Sequence, residues 1–110
     1  MDLKEAQARV HEWIGQFQEG YWPPMHNLAR LMEEVGELAR ELNHRYGSKP
    51  KRPEEPDQDL AMELADVLFV LVCLANQTGV DLSEALRRNL AKKADRGRTR
   101  HQQNPKLRPS

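Results

Sequence analysis

Two pairs of carboxylates stand out for chemistry: Glu34 and Glu37 in Leu31–Leu42 (LMEEVGELAREL), and Glu63 and Asp66 in Met62–Leu71 (MELADVLFVL). Members of each pair are three residues apart on a helical pattern, so each pair sets two carboxylates on one flank of a helix. Four convergent carboxylates repel one another unless hard cations sit between them. An oxygen-only donor set favours magnesium, with manganese as a substitute, over zinc or copper. The plainer alternative is solvated decoration, because acidic pairs on helix surfaces are commonplace. Glu63 and Asp66 fit that alternative poorly. Phe69, Val70 and Val72 lie outside the main apolar stripe of their helix, so it is covered on more than one side, and charges entering such a helix need a partner. A di-iron carboxylate bundle also competes, since Glu41 and His44 form one Glu-x-x-His. Such sites ask for two of these motifs, and the sequence holds no second one.

The elements that must position these groups read as helices. Leu3, Ala6, Val10, Trp13 and Phe17 recur at three- and four-residue steps, giving one apolar stripe over about residues 2–19. Gly20 and the corner Tyr21-Trp22-Pro23-Pro24 end it. Leu28, Leu31, Val35, Leu38 and Leu42 mark a second helix over about 26–45. The proline-rich, charged segment Ser48–Asp57 reads as a solvated loop. A third helix over about 58–78 is closed by Gly79, and Asp81 with Glu84 has the pattern of a capping box for a fourth, over about 82–96. No repeat and no strand pattern is present. The expected fold is all-α, a four-helix bundle over residues 1–96, followed by a basic, disordered tail over 97–110.

Helical geometry predicts that the acids meet. With the stripe of the second helix centred near Val35 and Leu42, Glu34 lies roughly 80° and Glu37 roughly 140° to one side. The stripe through Leu60, Leu64, Val67, Leu71 and Leu74 gives Glu63 and Asp66 similar offsets. Equal-sense flanks face each other only if the two helices run antiparallel, as a loop of about a dozen residues would make them. Gly36, inside the first pair, removes a side chain where a helix or ligand could come close.

Composition excludes several classes. Lys plus Arg and Asp plus Glu are both 17 of 110 residues, so no global field favours nucleic acid or an anionic membrane. A hydrophobic content of 38% is low for a chain burying its own core, which points to a homo-oligomer. Cys73 is the single cysteine, so no disulfide can form within the chain, and it reads as a buried, reduced packing residue. Val67–Ala75 is far shorter than the roughly 20 apolar residues of a membrane span, and the N-terminus opens on charged residues. The expectation is a soluble cytoplasmic protein.

At Tyr21–Arg45 (YWPPMHNLARLMEEVGELARELNHR) and Glu63–Ala75 (ELADVLFVLVCLA), the sequence resembles the MazG-like family of all-α nucleoside triphosphate pyrophosphohydrolases, especially its small single-domain bacterial members. The family signature is two glutamates three apart, a variable gap, then Glu and Asp three apart; Glu34, Glu37, Glu63 and Asp66 match it. The resemblance implies cleavage of (d)NTPs between the α and β phosphates to a monophosphate and pyrophosphate, in house-cleaning of non-standard or surplus nucleotides. It implies Mg2+ on those four residues, which would activate the attacking water. Glu33 becomes a candidate base, its alternative being a solvent-facing glutamate beside the site. The resemblance also places the corner before the second helix near the nucleobase, making Trp22 a stacking candidate. It implies a homodimer or dimer of dimers whose subunits complete the pocket.

On the fourth helix Asn89, Lys92, Lys93 and Arg96 follow one another at helical spacing beside Leu82, Leu86 and Leu90. Such a polar-basic band suits a polyphosphate, with Lys92 and Arg96 as a pair. The alternative is plain solvated lysines. Against the whole enzymatic reading stands a non-catalytic helical interaction module whose acids only solubilise it. Phosphoribosyl-ATP-like substrates of related α-helical hydrolases form a third option.

Overall fold

A computed structural model describes the backbone over residues 1–47 and 60–103 and side chains up to residue 97; the proline-rich loop expectation falls outside these. Four helices account for the described residues: α1 (Leu3–Ile14), α2 (Pro24–Tyr46), α3 (Leu60–Gln77) and α4 (Leu82–Gln103). The all-α expectation holds, and no strand occurs among the described residues.

The ends follow local chemistry. Asp2 caps α1, its carboxylate accepting from the Glu5 N–H at 2.8 Å. The helix stops at Ile14 rather than near Glu19, because Gly15 follows and glycine is a poor helix former. The chain then closes through short turns to Gly20, whose φ of 64° is a left-handed value that glycine alone takes freely. The Trp13 and Phe17 rings nonetheless meet edge to face at 4.9 Å, so the apolar stripe outlives the helix. Pro24 opens α2, where a missing N–H costs nothing. Gly79, at φ 72°, turns the end of α3 so that the Val80 N–H reaches the Ala75 carbonyl at 2.8 Å. Asp81 caps α4 through the Glu84 N–H at 3.2 Å, but the box is half made: the Glu84 carboxylate pairs with Arg87 instead. α4 continues past Arg96 to Gln103. Part of the expected tail is therefore helical, and the remainder, 104–110, lies outside the described residues.

α3 is the central helix, packed along α2 on one side and against α1 on another, while α4 is held chiefly by α1. Gln7 ties three elements together. Its amide donates to Asn76 Oδ1 (3.0 Å) and to the Val80 carbonyl (2.8 Å), and its Oε1 accepts from the Leu82 N–H (2.9 Å).

The buried faces differ from the expected stripes. On α2 the residues turned to α3 run through Asn27, Glu34 and Glu41, about 80° round from the Val35–Leu42 centre. Val35 and Leu42 are exposed, as are Leu64 (52%), Leu68 and Leu71 on α3. The core of the single chain comes down to Val70, Val72, Cys73 and Ala75. Burial pushes the Cys73 thiol up from its ordinary value, which keeps it protonated and inert. α3 as a whole is longer than the apolar run read from sequence. With mean hydropathy 1.7 over 18 residues, it is long and apolar enough to cross a membrane by length and composition. Here two helices flank it, and Glu63 and Asp66 sit in its first two turns.

Candidate metal centre

α2 and α3 run antiparallel: Asn27, near the start of α2, donates to Gln77 Oε1 at the end of α3 at 2.8 Å. That register brings the middle of α2 to the first turn of α3. Carboxylate oxygens of Glu34, Glu37 and Glu63 all lie within 4.8 Å of one another. Asp66, exposed one turn along α3, is close enough that its charge acts on both Glu34 and Glu63. All four sequence-predicted acids are therefore neighbours.

The electrostatics are strained. Glu63 is only 7% exposed and Glu34 is half-buried, and one oxygen of each is buried without any hydrogen-bond partner among the described residues. Burial first, then repulsion from Asp66 and Glu37, holds the Glu34 carboxyl above its ordinary range; Arg30 opposes this weakly. Glu63 is raised likewise, by burial first and then by Glu37, Asp66, Glu34 and Glu41. Orphaned carboxylate oxygens facing like charges are what a hard divalent cation would satisfy. The donor set thus fits such an ion, with Glu34, Glu37, Glu63 and Asp66 as the residues that would hold it.

Glu41 enlarges the acidic line beyond what the sequence reading assigned. It is buried on the same face of α2, its charge reaches Glu63, and its Oε1 accepts from Arg45 Nε at 2.7 Å. That ion pair, one turn on, gives Glu41 a structural partner and separates it from a Glu-x-x-His ligand role. The signal was its i, i+4, i+7 spacing with Glu34 and Leu38. Gly36 does not serve a close approach in this chain: a Cβ there would meet no atom within 4 Å, because it faces away from α3.

Beside the carboxylates opens a cleft of about 680 Å³, lined by Glu19, Tyr21, Trp22, His26, Arg30, Glu33 and Glu34 among others. Glu33 and Glu34 share its wall, with Glu33 exposed. Trp22 also lines it, 47% exposed, and its corner is pinned by polar contacts. The Trp22 carbonyl accepts from Gln77 Nε2 at 2.9 Å and from Asn27 Nδ2 at 3.4 Å. The Tyr21 hydroxyl accepts from Asn76 Nδ2 at 3.0 Å and meets His11 Nδ1 at 2.9 Å. The buried ends of α2 and α3 thus aim the aromatic corner. Asn89, Lys92 and Arg96 are not brought to this cleft within one chain. Asn89 lines a separate apolar groove of about 500 Å³ between α1, α3 and α4, and Lys92 and Arg96 are exposed on α4.

Comparison with known proteins agrees with this architecture. The MazG nucleotide pyrophosphohydrolase domain matches residues 23–101. The Bacillus subtilis (strain 168) protein YpjD is 58% identical over 83 residues, covering 76% of this chain and 75% of that protein. The crystal structure of the Bacillus-conserved MazG protein, a nucleotide pyrophosphohydrolase, superposes with a TM-score of 0.73 at 43% identity, over 84% of this chain and 88% of that one. The dATP/dGTP diphosphohydrolase of Cyanophage S-2L is 34% identical over 106 residues, 90% of this chain and 87% of that protein.

Proposed function

This chain belongs to the MazG nucleotide pyrophosphohydrolase family, and on that premise we propose that it is a magnesium-dependent enzyme cleaving (d)NTPs between the α and β phosphates. It is a hydrolase acting on nucleotide pyrophosphate bonds; the metal, the bond and the substrates are our reading. The observation that carries it is the pair of buried, unpartnered oxygens on Glu34 and Glu63, inside a cluster drawn from two helices. An interaction module would give those oxygens no role.

In this reading Glu34, Glu37, Glu63 and Asp66 hold Mg2+, or Mn2+ in its place. A bound magnesium would neutralise phosphate oxygens and lower the pKa of the attacking water. Glu33, exposed on the cleft wall one residue from Glu34, is in this reading the group that accepts that water's proton. Trp22 offers a face on which the base stacks. Stacking grips bases with little regard to their edges, which suits clearance of non-standard or surplus nucleotides. The relative acting on dATP and dGTP supports purine deoxynucleotides among them.

The exposed apolar faces around Val35, Leu42, Leu64 and Leu71 support a homodimer or dimer of dimers. In that assembly Asn89, Lys92 and Arg96 would reach a phosphate from a neighbouring subunit. Sedimentation at micromolar concentration should show a dimer or larger species, and a lone monomer would overturn the assembly. A single buried thiol fits work in the cytoplasm. The function itself is tested by pyrophosphate release from a panel of ribo- and deoxyribonucleoside triphosphates, with and without Mg2+. Metal-independent release, or none from any nucleotide, would defeat it.

A further inference from the structure

Arg30 lies one turn before Glu34 on α2, about 6 Å along the helix axis. Its guanidinium carbon stands 5.2 Å from the Trp22 ring centroid and 5.5 Å from that of Phe69. The side chain is half-buried and lines the same cleft as Trp22, Glu33 and Glu34. Among the described residues no hydrogen bond or ion pair engages its N–H donors, although a field of carboxylates lies one turn away. A half-buried cation without a partner is costly. Two aromatic rings hold this one in place while leaving its fork of donors unused.

We propose that Arg30 is a substrate-binding residue, its guanidinium donating to phosphate oxygens of the nucleotide on the nucleobase side of the carboxylate cluster. The inference rests on the reading above, in which Trp22 receives the base and the four acids receive the metal-held phosphates. Arg30 stands between those two stations on the cleft wall, where the α-phosphate must pass. An anion answers the unpaired charge; a carbonyl on a neutral base would leave it uncompensated. The planar fork matches two phosphate oxygens at once, and the flanking rings hold it ready before substrate arrives. Lysine keeps the charge but neither the fork nor the stacking.

The test compares wild type, Arg30→Gln and Arg30→Lys in hydrolysis of dATP, dGTP, dCTP and dTTP with Mg2+. Arg30→Gln should raise KM about tenfold or more for every base, as loss of a charge-assisted contact does, with kcat changed by no more than about threefold. Arg30→Lys should fall between. Calorimetry should show dAMP binding weakened to the same degree and deoxyadenosine binding unaltered. A KM that does not move, or a loss confined to one base, overturns the phosphate contact. A purely structural clamp between Trp22 and Phe69 would lower the melting temperature and weaken deoxyadenosine as much as dAMP, and that too overturns it. Arg30→Lys, which keeps an aliphatic stem and a cation between the rings, decides the matter if Arg30→Gln folds poorly. Should wild type hydrolyse no nucleotide, binding of α,β-methylene-dATP separates the two readings. Tight binding that Arg30→Gln weakens tenfold keeps Arg30 and removes the activity; no binding by wild type removes both.

Discussion

Glu63→Gln should lower magnesium-dependent pyrophosphate release by about a thousandfold, while the cation-free variant melts higher than wild type at neutral pH. The two effects have one cause. Glu63 is a buried carboxylate with an oxygen that no group among the described residues satisfies, surrounded by Glu34, Glu37, Asp66 and Glu41. Replacing it with an uncharged amide of the same shape removes one repelling charge, and its NH2 can donate to a neighbouring carboxylate. It also removes a quarter of the anionic donor set for a cation, whose charge stabilisation of the transition state is worth several kcal/mol, or roughly three powers of ten in rate. Kinetics and a melting curve on the same preparation check both halves. Activity within about threefold of wild type would remove Glu63 from the site. If the variant instead melted lower, Glu37→Gln and Asp66→Asn would settle the ligand assignment, because both positions are exposed and carry little packing. Each should lose activity without losing the fold.

Millimolar Mg2+ should raise the melting temperature of the cation-free protein markedly at pH 8 and only slightly at pH 5. A cation at about 100 times its dissociation constant contributes roughly 2.7 kcal/mol of stability. The sign of the pH dependence follows from Glu34 and Glu63, whose folded-state values are raised above the ordinary glutamate value. A raised carboxyl contributes stability that is complete below its unfolded value and is lost as pH rises through its folded value. Without metal, the cluster therefore weakens the fold as pH rises above the ordinary glutamate value of 4.5. With metal, the same ionisation creates the ligands. The stabilisation should grow with pH and vanish in Glu63→Gln. Differential scanning calorimetry with EDTA and with Mg2+ at both pH values checks this; a shift independent of pH, or one that survives the substitution, would refute it.

Much of the site was legible before any coordinates. Two acid pairs three apart, one of them entering a helix apolar nearly all round, lie at similar offsets from their apolar stripes by helical rotation alone. The antiparallel pairing followed from a connection of about a dozen residues, for which antiparallel neighbours are the expected arrangement. What misled was the apolar stripe. Its pattern predicts Val35 and Leu42 on α2, with Leu64 and Leu71 on α3, as the seam between the two helices, yet all four are exposed in the single chain. Hydrophobicity records that a side chain avoids water, not which surface covers it. Glu41 lies in the actual seam, where Arg45 answers its charge, and in the proposed site a cation would answer that of Glu34. The end of α4 escaped for the converse reason, since residues 97–103 carry no apolar rhythm to mark a helix.

The sequence by itself determined the helical class and the helix flanks on which the four acids lie, because helical rotation is set by the backbone. Only the tertiary structure decided that Glu34 and Glu63 each keep a buried oxygen without a partner, that Glu41 turns to Arg45, and that Arg30 lodges between Trp22 and Phe69. Those facts depend on the rotation of one helix against another. Side chains far apart in the chain fix that rotation, such as Asn27 with Gln77 and Gln7 with Asn76, and no local pattern encodes their meeting.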